Sequence, residues 1–108
     1  LKKHKNSIIS TGGGFVCYNN IMNIINQDYI TIYLKYSSEI LYERLKKEKE
    51  KEKRPILKNI KKKELKYFIT NLLSNREKYY EKSKVIIECT KLNDQKILRK
   101  INSMIIAR

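Results

Sequence analysis

Apolar positions follow two different spacings along this chain, and the two spacings alternate. Short runs rich in β-branched and aromatic residues predict strands at residues 8–9, 29–34 and 85–89. Apolar residues three and four positions apart predict helices at about residues 21–26, 38–53, 61–82 and 94–105. Because strands and helices alternate, we predict an α/β fold with a parallel sheet covered by helices.

Residues with helix-capping side chains stand where three of these helices are predicted to begin. They are Asn19 or Asn20 for the first, Ser37 or Ser38 for the second, and Asn93 or Asp94 for the last. The second helix loses its apolar face after Leu45, and from there to residue 53 it is wholly charged. A segment that is polar on all sides projects into solvent or is mobile.

The third helix has the clearest apolar stripe, and an arginine interrupts it. The stripe consists of Leu65, Phe68, Ile69, Leu72 and Leu73. Arg76 lies four residues after Leu72, on the same face. An arginine there either snorkels to water or pairs with a buried carboxylate. Alternatively, its planar guanidinium points into a cleft and binds the carboxylate of a ligand.

Three consecutive glycines, Gly12, Gly13 and Gly14, directly follow the short predicted strand and a Ser-Thr pair. Glycine loses more backbone freedom on folding than any other residue. Such a run is easiest to explain where a ligand approaches the backbone closely, and in open α/β sheets this happens at the carboxyl ends of strands. A flexible turn is the other interpretation.

Composition indicates one small domain and excludes several kinds of site. The chain has 108 residues, 25 Lys+Arg against 11 Asp+Glu, and a formal net charge of +14. Because its lysines accompany many Ile, Asn and Tyr residues, we attribute the charge to an AT-rich coding sequence and not to a nucleic-acid partner. Cys17 and Cys89 lack zinc or redox spacing and predict a reducing compartment. No apolar run is long enough to span a membrane, and the single histidine, His4, lies in a basic terminal stretch.

Taken together, four motifs resemble the C-terminal two-thirds of shikimate kinases. The first is Ser-Thr-Gly-Gly-Gly at residues 10–14, and the second joins residues 32–34 to the helix start at residues 37–45. The third is Arg-Pro-Ile-Leu at residues 54–57, and the fourth is Arg76 with Tyr80, which matches Arg-x-x-x-Tyr. The resemblance implies a P-loop kinase fold, similar to nucleoside monophosphate kinases, of which residues 1–108 form the C-terminal part.

The resemblance also implies a role for each motif. The glycine loop, Gly12 to Gly14, would close over shikimate, with the Gly13 amide toward the substrate, and Arg76 would bind the shikimate carboxylate. Arg54 would be the catalytic arginine of a lid at about residues 46–63 that reaches the transferring phosphate of ATP. Asn93 aligns with a position near the adenine end. The reaction implied is ATP-dependent phosphorylation of the shikimate 3-hydroxyl in the cytoplasm, with Mg²⁺.

The sequence departs from the family in what it lacks. It contains no Gly-x-x-x-x-Gly-Lys-Ser/Thr, so the phosphate cradle and the magnesium ligand belong to an N-terminal portion that precedes these residues in the family. We therefore expect no metal ligand in this chain, no stable folding without that portion, and no turnover by the chain alone. The alternatives are a gluconate or nucleoside monophosphate kinase, a non-catalytic remnant, and a basic nucleic-acid-binding module.

Overall fold

The secondary structure follows the predicted alternation of strands and helices. The computed structural model describes residues 7–50 and 59–106, without the side chains of residues 48–50 and 62. The elements, in chain order, are α1 (Ile21–Asp28), β1 (Ile32–Lys35), α2 (Ser38–Glu50), α3 (Leu65–Tyr80), β2 (Val85–Glu88) and α4 (Asp94–Ile106). Single 3-10 turns at Phe15–Cys17 and Lys62–Glu64 precede α1 and α3.

Within the described residues the sheet has two strands. β1 and β2 pair in parallel, with Ile32 opposite Val85 and Lys35 opposite Glu88. Because the strands are parallel, their carboxyl ends lie at one edge, and the connection between them passes through α2 and α3. The prediction of a parallel sheet flanked by helices is confirmed.

The strand predicted at residues 8–9 does not form. Ile8 is fully exposed and Ile9 is 39% exposed, and neither takes part in the sheet. A strand persists only where a neighbour accepts its backbone hydrogen bonds. The described residues supply no strand between this segment and β1, so the apolar pair remains unpaired.

The strand predicted at residues 29–34 begins three residues later, at Ile32. The Tyr29 amide still belongs to the end of α1, because it donates to the Ile25 carbonyl at 3.0 Å. Thr31 then joins the two strands at their start, since its hydroxyl accepts from the Lys84 amide at 2.8 Å and donates to Asn26. The Thr31 carbonyl also accepts from the Val85 amide at 3.0 Å, so pairing with β2 starts here and not at Tyr29.

Two apolar clusters hold the helices in place. One contains Val85, Ile87, Cys89 and Ile97, which join β2 to α4. The other contains Leu65 and Ile69 of α3, packed against the Leu41 and Leu45 side of α2. The second cluster buries the first part of the stripe predicted for α3, whereas Leu72 and Leu73 are half-buried.

The predicted caps differ in how they act. Ser37 caps α2, because its hydroxyl accepts from the Ile40 amide at 3.3 Å. Asn20 stands at the start of α1 but has a left-handed backbone (φ 58°) and makes no side-chain cap bond. Here the prediction of the position is right and that of the capping bond is wrong.

The apolar face of α4 is buried only in part. Ile97 is buried and Ile101 is half-buried, whereas Leu98 is 59% and Ile106 83% exposed. The outer part of the predicted stripe, including Leu98 and Ile105, is therefore largely open to solvent in the described part of the chain.

Candidate substrate site

The three glycines of the loop are needed for different reasons. Gly12 has φ +75°, a conformation that side chains disfavour, although a Cβ there would meet nothing within 4 Å. Gly13 has no such backbone constraint, but its Cβ would lie 2.7 Å from Nη1 of Arg76 and 3.4 Å from the Tyr80 hydroxyl. At Gly14 a Cβ would lie 3.3 Å from Nη2 of Arg76. The loop is thus shaped to let α3 side chains approach its backbone.

Arg76 lies beside this loop, half-buried, on the face of α3 where the apolar stripe predicts it. Within residues 7–50 and 59–106 the recorded ion pairs join Lys35 to Glu77 and Glu81, and none involves Arg76. The sequence leaves open whether Arg76 pairs with a buried carboxylate. Among the described residues it does not. The guanidinium keeps hydrogen-bonding capacity for an anion.

Tyr80, one helical turn after Arg76, binds the loop directly. Its hydroxyl donates to the Gly13 carbonyl at 2.5 Å, and the Arg76 guanidinium approaches the same glycine. Its ring packs on Tyr33 of β1, with centroids 5.2 Å apart and planes at 45°. Burial raises the pKa of Tyr80 above that of a free tyrosine, against the opposing effect of Arg76, so the hydroxyl keeps its proton at neutral pH.

A charged cluster ties the same end of α3 to the sheet. Lys35, the last residue of β1, has its Nζ 2.9 Å from Glu81 and 3.4 Å from Glu77. The bond to Glu81, followed by the bond to Glu77, raises the pKa of Lys35 well above its usual range. The pairs are exposed and contribute little stability, but they restrict how the last turn of α3 sits over β1.

An open cleft of about 710 Å³ lies at the carboxyl ends of both strands. Its lining includes Lys35 and Ser37 after β1, Thr90 and Lys91 after β2, and Ser74 of α3. This is the edge at which open α/β sheets bind ligands. The glycine loop lies outside that lining, against the Arg76 side of α3.

Asn93 has a structural contact of its own. Its Oδ1 accepts from the Lys96 amide at 2.9 Å and so caps α4, as the sequence predicts. The side chain is exposed, and the neighbouring Lys91 and Leu92 line the cleft. Contact with a nucleotide stays a prediction.

The sequence also predicts a catalytic role for Arg54 and no metal ligand in this chain. Arg54 lies outside the described residues, together with the rest of residues 51–58 of the predicted lid. In the described part of the chain no three acidic, cysteine or histidine side chains come together as a metal site would require. Likewise, no described helix has the length and apolar character needed to cross a membrane.

The comparison with known proteins assigns the family. The sequence profile of shikimate kinase matches residues 1–106. The chain belongs to the shikimate kinase family. The shikimate kinase of Azobacteroides pseudotrichonymphae is 35% identical over 94% of this chain and 58% of that protein. The shikimate kinase of Flavobacterium johnsoniae is 41% identical over 74% of this chain and 46% of that protein.

A solved structure agrees with this assignment at the level of the fold. The shikimate kinase of Bacteroides thetaiotaomicron matches with a TM-score of 0.76 and 26% identity, over 87% of this chain and 55% of that chain. The resemblance seen in the sequence motifs is confirmed, as is the P-loop kinase fold. The chain spans about half the length of the shikimate kinases it matches.

Sequence reasoning missed how the glycine loop is held. The sequence predicts Tyr80 only as part of the Arg-x-x-x-Tyr motif. Its hydroxyl contact joins residues 67 positions apart, and no periodicity reports such a contact. The signal available was the spacing itself, because residues four apart share one helix face and Arg76 therefore implies Tyr80 beside it.

Proposed function

We propose that this chain forms the C-terminal part of a single shikimate kinase domain, which phosphorylates the shikimate 3-hydroxyl with ATP in aromatic amino acid biosynthesis. The observation that carries the proposal is the position of Arg76. Its guanidinium lies against Gly13 and Gly14 and has no carboxylate partner among the described residues. The family assignment supports the same conclusion.

In this proposal Arg76 binds the carboxylate of shikimate, and the glycine loop beside it closes over the substrate. A guanidinium offers two parallel N–H donors that match the two oxygens of a carboxylate. The backbone of Gly12 to Gly14 has no side chains to hinder a ligand, and the Gly13 amide is the donor that we assign to shikimate. Fixing the carboxylate at one end of a rigid ring determines which hydroxyl faces the phosphate donor.

ATP and Mg²⁺ are the cofactors that the family implies, and the residues present do not fit either one alone. The sequence has no Gly-x-x-x-x-Gly-Lys-Ser/Thr to hold phosphates, and the described residues contain no acidic cluster for a metal. We therefore place the phosphate cradle and the metal ligands in the N-terminal portion that the relatives have. For this chain we assign Arg54 to the transferring phosphate and Asn93 to the adenine end.

We place the protein in the cytoplasm. Cys17 and Cys89 are both free thiols, which is the usual state in a reducing compartment. The partners we assign are shikimate, ATP and the N-terminal portion of the domain, and we assign neither a membrane nor a nucleic acid. The basic net charge is the single feature that supports a nucleic-acid-binding module. The family and the Arg76 geometry both support the kinase.

The test uses a full-length kinase, in which this chain follows the N-terminal portion of the Azobacteroides pseudotrichonymphae relative. ADP release is measured with shikimate, gluconate or a nucleoside monophosphate as the acceptor. We expect release that depends on shikimate and is absent with the other two acceptors. Turnover of gluconate or of a nucleotide without turnover of shikimate would overturn the proposed substrate.

A further inference from the structure

We propose that Tyr80 is a positioning residue for substrate binding, because its hydroxyl holds the Gly13 carbonyl beside the Arg76 guanidinium. The inference rests on the proposed function and adds a residue to it. Tyr80 need not touch shikimate. Its role is to hold the two groups that do, the glycine loop and the arginine, at one fixed separation.

The contact to the loop restricts one peptide. The Tyr80 hydroxyl donates to the Gly13 carbonyl at 2.5 Å. The Gly13 carbonyl and the Gly14 N–H belong to one planar trans peptide, so the bond orients the peptide that directly follows the Gly13 N–H assigned to shikimate. A run of three glycines is otherwise the most mobile backbone available. The hydrogen bond therefore removes part of the ordering cost that the loop would pay on binding a ligand.

The contact to Arg76 restricts the guanidinium. Nη1 of Arg76 and the Tyr80 hydroxyl crowd the same point, at 2.7 and 3.4 Å from where a Cβ of Gly13 would lie. The hydroxyl therefore stands on the same side of the loop as the guanidinium, and its lone pairs can serve as an acceptor there while it donates to Gly13. A long arginine side chain has several rotamers to lose, so a fixed acceptor beside it favours the one that a two-pronged contact needs.

Tyr80 can serve as a fixed point because its own ring is held from two directions. The ring packs on Tyr33 of β1 at 5.2 Å. The next residue, Glu81, pairs with Lys35 at the end of the same strand. Burial raises the pKa of Tyr80, so the hydroxyl proton remains available for donation. The sheet thus sets the position of the hydroxyl, and the hydroxyl sets the position of the loop.

The deciding variant is Tyr80→Phe in the full-length kinase, since it keeps the ring and removes the hydroxyl. A net hydrogen-bond contribution of about 0.5–1.5 kcal/mol corresponds to a loss of shikimate affinity of about twofold to tenfold. We expect this loss in the shikimate KM and Kd, with kcat and the KM for ATP unchanged. We also expect faster amide hydrogen exchange in the glycine loop, which reports the tether without any ligand.

The matched control is Tyr79→Phe, the same change one position earlier. Tyr79 lies on α3 beside the ammonium groups of Lys78 and Lys82, and we expect wild-type affinity and wild-type loop exchange. Equal shikimate affinity and equal loop exchange in the two variants would overturn the role of Tyr80. So would a fall in thermal stability together with poorer binding of both substrates, which indicates a packing role. A wild-type kinase that does not bind shikimate would instead overturn the proposed function and this inference with it.

Discussion

Replacing Gly13 by alanine tests whether the position of the Arg76 guanidinium matters for the substrate. The new methyl would lie 2.7 Å from Nη1, and real Cβ contacts essentially never fall below 3.0 Å. The guanidinium must therefore withdraw by at least the difference, 0.3 Å. Nη1 is the far end of a flexible side chain, so it can move without moving the helix.

The cost in stability should be small and the cost in affinity large. Gly13 does not have a positive φ, so alanine there restricts the unfolded chain, which stabilises by about 0.4–1 kcal/mol and offsets the displaced side chain. We expect a thermal midpoint within about 3 °C of wild type. A weakened hydrogen bond to a charged group costs ~1.5–3 kcal/mol, so shikimate should bind between about tenfold and a hundredfold more weakly.

The comparison variant is Gly12→Ala, which makes no steric contact with Arg76 but forces alanine into φ +75°. The left-handed conformation costs alanine about 1–2 kcal/mol, which destabilises the loop backbone itself. Isothermal titration with shikimate and a thermal melt of both full-length variants separate the two mechanisms. Wild-type shikimate affinity in Gly13→Ala would refute the reasoning, as would a large loss of stability in that variant.

The lid and the isolated chain give two further predictions. Arg54→Ala in the full-length kinase should lower kcat far more than shikimate affinity, because a closing lid contributes mainly in the transition state. Stopped-flow or steady-state kinetics check this against Lys53→Ala, a neighbouring lid charge with a smaller expected effect, and an unchanged kcat would remove Arg54 from catalysis. The 108-residue chain alone should release no ADP with shikimate, and ATP-dependent turnover by the pure chain would contradict our assignment of the phosphate cradle.

Local sequence signals predict much of the fold because they act over a few residues. The spacing that begins at Leu65 predicts α3, and the alternation of Val85 and Ile87 with exposed neighbours matches the buried face of β2. The same reasoning fails at Ile8, because an apolar pair becomes a strand only beside a partner strand. It also fails at Ile32, where the Thr31 hydroxyl bonds decide where β1 begins.

In the candidate site, too, some features can be predicted from the sequence and others cannot. Arg76 is predictable because an arginine inside an apolar stripe conflicts with burial and demands an explanation. The sequence predicts the three glycines as a group, but it does not show why each is needed. Gly12 is needed for its positive φ, and Gly13 for the short distance between its Cβ position and Nη1 of Arg76. The hydroxyl contact of Tyr80 could not be predicted, since it depends on how α3 packs beside the glycine loop.

The measurement closest to the central claim is the shikimate affinity of full-length Arg76→Met, taken together with its thermal midpoint. Losing a two-pronged contact, at ~1.5–3 kcal/mol per hydrogen bond, should weaken binding at least tenfold. Arg76→Lys should not restore it, because an ammonium lacks the planar fork. The thermal midpoint should stay near that of wild type, because methionine suits an apolar helix face and no described ion pair is broken. A collapse of stability with shikimate affinity retained would contradict the account and make Arg76 a structural residue.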